Sequence, residues 1–126
     1  IDIAPFPRKP QPVTEMVSPM KPLEALAMEK AVVVSGVRAL AEMIADGETG
    51  LVFTKGDTGS LADTLDRLIG DPDLRAALAR EGRARVVRDR TWKEMGARAA
   101  ERLAMLHAPG ATVPHADGEK APLGVA

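Results

Sequence analysis

The chain has 126 residues, room for one domain with its own core and no more. Its 45% apolar and 28% charged residues are those of an ordinary folded globular chain, and a formal net charge of −1 gives no electrostatic reason to expect nucleic acid. The only aromatic residues, Phe6, Phe53 and Trp92, are too few for a base-stacking platform, and the lack of cysteine excludes disulfides and thiolate metal sites while fitting a reducing cytoplasm.

Residues 1–6 alternate enough for a short strand, which the prolines at 5 and 7 are expected to end. The chain opens in what reads as the middle of that strand, with neither Met nor a signal-peptide pattern, so a piece of a larger protein is expected. Pro10, Pro12 and Pro19 make residues 8–19 a loop of constrained shape without regular structure. Pro22 then suits the first position of a two-turn helix whose buried stripe is Leu23, Leu26 and Ala27. The start of such a helix presents N–H groups and a positive dipole end, so residues 18–24 form the candidate phosphate-binding turn. Each polar residue there has two readings. Ser18 donates to a phosphate or caps the turn, Lys21 neutralises phosphate charge or is a solvated loop lysine, and Glu24 faces a ligand or merely favours the helix dipole.

Residues 31–35 are apolar and β-branched, the pattern of a parallel strand covered on both faces. After Gly36, residues 37–44 predict a short helix with Val37, Leu40, Ala41 and Ile44 inward, and Glu42 reads as a structural acid. Residues 46–50 carry strong turn chemistry before a third strand at 51–53. Asp57 reads as a turn or capping residue ahead of an amphipathic helix over 60–69. Gly70 ends that helix, Asp71 caps the next, and Pro72 takes its first position. Leu74, Leu78, Gly82 and Val86 share one face there, and Gly82 either permits close packing or simply weakens the helix by ~1 kcal/mol. Thr91 and Glu94 form a capping box for a last helix with an apolar face of Trp92, Met95, Ala99, Leu103 and Leu106, and Trp92 is expected in the core. The fold class is α/β, a short parallel sheet with flanking helices over residues 1–107, followed by a disordered tail at 108–126. His107 and His115 have no third ligand nearby, so no metal is expected. In such a sheet ligands bind outside the carboxyl ends of the strands, where the loop ending at Lys21 lies.

The ordered set Pro-Met-Lys-Pro-Leu-Glu-Ala-Leu-Ala-Met from Pro19, Val-Val-Val-Ser from Val32, Ala41-Glu42, Asp-Gly-Glu-Thr-Gly-Leu-Val from Asp46, Gly56-Asp57 and Leu61-Ala62 resembles the donor-binding domain of retaining GT-B glycosyltransferases of family GT4. The resemblance runs from about residue 1 to 106 and implies the C-terminal part of a Rossmann-like nucleotide-sugar domain, whose last helix crosses back towards an acceptor domain. It implies hexosyl transfer from a UDP- or GDP-sugar donor to a glycan or lipid-linked acceptor, with no cofactor or metal. Glu24 then matches the acid that holds the nucleotide ribose, and the backbone at Met20 and Lys21 matches the turn that meets the diphosphate. The family's sugar-contacting acid stands eight places before the ribose acid. Met16 occupies that place here and Glu15 lies one further back, so Glu15 is a sugar contact in a shifted register or not a contact at all. The family's usual glycine after Ala-Met is Glu29, which removes a preferred helix terminator. A separate N-terminal domain of ~200 residues is the implied partner, without which the chain should be inactive. Two other readings stay open: another GT-B enzyme such as an epimerase or phosphorylase, and a non-catalytic interaction module. The expected location is the cytoplasm. The arginine-rich stretch 75–90 is open to two readings, contact with anionic lipid at the inner membrane or an ordinary solvated face.

Overall fold

A computed structural model describes residues 1–106. The chain divides into two units, Ile1–Thr91 and a second that begins at Trp92. The proposed tail, His107 and His115 lie outside the described residues.

The first unit is built on three parallel strands, β1 (Ile3–Phe6), β2 (Ala31–Ser35) and β3 (Leu51–Phe53), in the order β1-β2-β3. Every residue of β2 is buried, as its unbroken apolar run predicts for a central strand covered on both faces. The period of two divides those side chains between two cores. Val32 and Val34 pack with Leu26, Leu40 and Ile44 on one face, while Ala31 and Val33 pack with Phe53, Leu68 and Leu78 on the other. One face is covered by α2 (Lys21–Ala27) and α3 (Arg38–Ala41), the other by α4 (Thr58–Gly70) and α5 (Pro72–Asp89).

The N-terminal caps of α4 and α5 form as their sequences predict. The Asp57 carboxylate accepts from the Ser60 amide at 3.0 Å, and that of Asp71 accepts from the Leu74 amide at 2.9 Å. Gly82 lies where α5 meets α2, and a methyl group built on it would sit 2.5 Å from Leu26 Cδ2. It is therefore a packing glycine.

Four expectations are corrected. β1 runs through Pro5 and stops only before Pro7, because β1 is an edge strand and a missing N–H is tolerated there. Residues 8–19 are not wholly irregular: α1 (Pro12–Met16) forms with Pro12 in its first turn, and the Gln11 amide donates to Thr14 Oγ1 at 3.0 Å. The helix expected over 37–44 is only Arg38–Ala41, with Val37 at its cap position. Finally, α6 (Trp92–Leu106), the second unit's helix, begins where the Thr91 signal places it but buries none of its residues, and Trp92 is 86% exposed. An amphipathic stripe defines a face without specifying what covers it.

Glu29 shows how α2 ends without the customary glycine. Its φ is +56°, and the amides of Glu29 and Lys30 donate to the carbonyls of Leu26 and Ala25 at 2.9 and 3.0 Å. That is a Schellman ending with a side chain in the left-handed position that glycine occupies at least cost. Glu29→Gly is expected to raise stability by about 1 kcal/mol. The loosely held Arg83–Glu29 pair, 4.0 Å apart and half-exposed, offsets little of that gain. A higher denaturation midpoint at unchanged m-value is the measurement that checks it; a lower midpoint contradicts it.

Candidate functional site

At the carboxyl end of β1 a cleft of about 610 Å³ opens between the strand's exit and the start of α2. Its size is that of a small-molecule site. Phe6, Pro7 and Arg8 form one side as the chain leaves β1, and Met20, Lys21 and Glu24 form the other, with the buried Leu40 of α3 lying behind the lining. This is the placement that a parallel sheet favours for ligands.

Three of the residues singled out in the sequence, Met20, Lys21 and Glu24, therefore come together. Glu24 is exposed, and neither its carboxylate nor the Lys21 ammonium has a hydrogen-bond or ion-pair partner among the described residues. The helix they begin is seven residues long, with Lys21 first and Pro22 second. Pro22 has no N–H to offer, so the first turn lacks one of the amides that a helix start offers an anion. The charge of Lys21 thus matters more here than at the start of a long helix.

Ser18 and Glu15 do not line this cleft. Ser18 is exposed on the approach to it. Glu15 lies on α1 with both carboxylate oxygens engaged: Oε1 accepts from Lys55 Nζ at 2.6 Å and Oε2 from the Arg38 amide at 2.7 Å. The Lys55 hydrogen bond, then the Arg38 amide, holds the Glu15 carboxyl below its ordinary pKa of 4.5. A carboxyl with a depressed folded-state pKa contributes stability in full above its unfolded value and loses it as pH falls through the folded one. Glu15→Gln is therefore expected to lower stability by a constant amount above about pH 5, with the gap to the wild type closing in more acid solution. Denaturation midpoints across pH 2–7 are the check, and a gap that widens towards acid contradicts it.

Arg8, absent from the sequence-based candidates, joins the exit of β1 to two other segments. Its amide donates to Oγ of the fully buried Ser35 at 3.1 Å, and its guanidinium donates to the Val17 carbonyl at 2.8 Å. A cation directly after a strand that ends at a cleft is the signal that marks it. Lys55, two residues past β3, carries the same positional signal. Within 75–90 the structure engages Arg75 with the Leu68 carbonyl, Arg83 with the Ala27 carbonyl and Arg88 with Asp89, so these three guanidinium groups serve intramolecular contacts. No helix among the described residues is long and apolar enough to cross a membrane.

The fold and the cleft define a Rossmann-like α/β unit with a cleft at the carboxyl edge of its sheet, where such sheets place ligands. Residues 17–85 match the family described as glycosyl transferases group 1, and the chain belongs to that family. It is 36% identical over 64 residues to the capsular polysaccharide biosynthesis glycosyltransferase CapM of Staphylococcus aureus, a match that covers 51% of this chain and 17% of CapM. Sucrose-phosphate synthase from Thermosynechococcus elongatus superposes with a TM-score of 0.73 at 25% identity, over 86% of this chain and 26% of that one. Anabaena Alr3699/HepE, solved in complex with UDP, superposes with a TM-score of 0.73 at 22% identity, over 82% of this chain and 27% of that one, and shows likeness of fold. The chain thus spans between about a sixth and a quarter of the length of these proteins.

Proposed function

We propose that the chain supplies the donor-binding wall of a GT4-type glycosyltransferase, which moves a hexosyl group from a nucleoside-diphosphate sugar to a glycan or lipid-linked acceptor. The observation that carries this reading is the pairing on one cleft of two charged groups, Glu24 and Lys21, that have no partner among the described residues, in a chain of this family. A carboxylate accepts hydrogen bonds from the vicinal hydroxyls of a ribose, and an ammonium a short distance along the same helix start meets the diphosphate. Met20, which lines the same cleft, supplies backbone and apolar contact, and the exposed Ser18, one residue before the lining begins at Pro19, is offered as a further donor. Lys21 lowers the barrier to departure of the nucleoside diphosphate by neutralising its growing charge. No step here needs a protein nucleophile or a metal. The acceptor side belongs to a second domain facing the cleft, and the absence of cysteine fits work in the cytoplasm.

Titration calorimetry of the complete protein with UDP, GDP and their hexose conjugates tests the reading, with UDP first because a protein of the same fold was solved with it. Heat of binding for one base series is expected. No binding of any of them excludes the donor-site reading.

A further inference from the structure

α1 packs beside α3 and is the shortest helix of the first unit after α3 itself. It has five residues and buries none of them. Such a helix has no stability of its own and no apolar face to hold it. Its position therefore depends on polar contacts, and these reach far along the chain. Glu15 of α1 binds Lys55 beyond β3 and the amide that opens α3. At the far end of α1 the Arg8 guanidinium holds the Val17 carbonyl, and Pro10 packs against the loop that carries Lys55, 3.8 Å from the Cβ position of Gly56. The carboxyl ends of all three strands thus converge on one short helix, and Val17, its C-terminal cap, leads through Ser18 into residues 19–21, which line the cleft.

We propose that Glu15 is a positioning residue of the donor site and not a sugar ligand: by gripping Lys55 and the Arg38 amide it sets the segment from which the residue 18–21 turn enters the cleft. This rests on the donor-site reading above and assigns Lys55 a part in it. The carboxylate side chain is 25% exposed, with an ammonium on one oxygen and an amide on the other. A sugar hydroxyl would compete with a charge-assisted bond of 2.6 Å, the stronger kind. Replacing Glu15 releases α1, and the turn that follows it loses its register over the cleft.

Binding of UDP, UDP-glucose, GDP and GDP-mannose to the complete protein separates the two roles. Glu15→Gln and Lys55→Met are each expected to weaken nucleotide and nucleotide-sugar by the same factor, about tenfold, as misplacement of a binding turn does. The double variant is expected to be no weaker than Glu15→Gln alone, because the Lys55 contact is one that Glu15→Gln already disrupts. Lys55→Arg is expected to retain wild-type affinity. A Glu15→Gln variant that weakens only the nucleotide-sugars, with Lys55→Met silent, makes Glu15 a direct sugar ligand and overturns the proposal. So does wild-type affinity in both variants. If the wild type binds none of the four, the donor-site reading fails, and amide hydrogen exchange over residues 18–24 decides the positioning role. Faster exchange confined to that segment in Glu15→Gln supports it, and unchanged exchange overturns it.

Discussion

Glu24→Ala in the complete protein is expected to raise the dissociation constant for its nucleoside-diphosphate-sugar donor by about 10- to 100-fold. That range follows from losing hydrogen bonds to an ionised acceptor, about 1.5–3 kcal/mol in all. The fold should not register the change. Glu24 is exposed and has no partner among the described residues, so its removal leaves no buried group unsatisfied. Glu24→Gln separates charge from shape: it keeps the reach of the side chain and one acceptor oxygen, and an intermediate loss is expected. The measurement is donor affinity by calorimetry beside a thermal melt. A loss of affinity below twofold, or one accompanied by an equal loss of stability, removes Glu24 from the site.

Gly82→Ala is expected to destabilise the first unit by about 1–3 kcal/mol, the usual penalty for overpacking a tight contact. In an ordinary helix interior the same change stabilises by about 1 kcal/mol, so the sign itself is diagnostic. The added methyl would lie 2.5 Å from Leu26 Cδ2 and 2.8 Å from the carbonyl oxygen of Thr49. Leu26 is fully enclosed and has little room to move. Thr49 is fixed by its own turn, where its amide donates to the Ala45 carbonyl at 2.9 Å and its Oγ1 accepts from the Ala45 amide at 2.9 Å. Something must separate, and the joint that opens is that between α5 and α2, the helix that carries Lys21 and Glu24. Gly70→Ala is the control, because nothing lies within 4 Å of a methyl there. Melting midpoints should fall by about 4 °C or more in the first variant and hold or rise in the second. Equal behaviour of the two would show that Gly82 is not a packing constraint.

The strands and long helices were legible because each rests on local rules that agree with the final packing. The run at Val32–Val34 could be accommodated only between two layers, and it is. Asp57 and Asp71 cap helices whose apolar faces, Leu68 and Leu78, meet the same core. The cleft was half legible: the turn from Met20 to Glu24 was marked by Pro22, Lys21 and an acid, while Arg8 and Leu40 joined it only through the meeting of three segments. α1 is hidden in the sequence because a run of prolines reads as a breaker, although Pro12 occupies a helix's first turn, where no N–H is needed.

What the sequence alone determined is the α/β architecture, the family resemblance and the turn that offers Lys21 and Glu24, since periodicity, caps and short motifs act over a few residues. Only the tertiary structure decided the rest. It brought Lys55 to Glu15 across 40 positions, held Glu29 in a left-handed conformation, and left Trp92 exposed rather than in the core. Each of those depends on which surfaces meet, and contacts between distant segments leave no periodic trace in the chain.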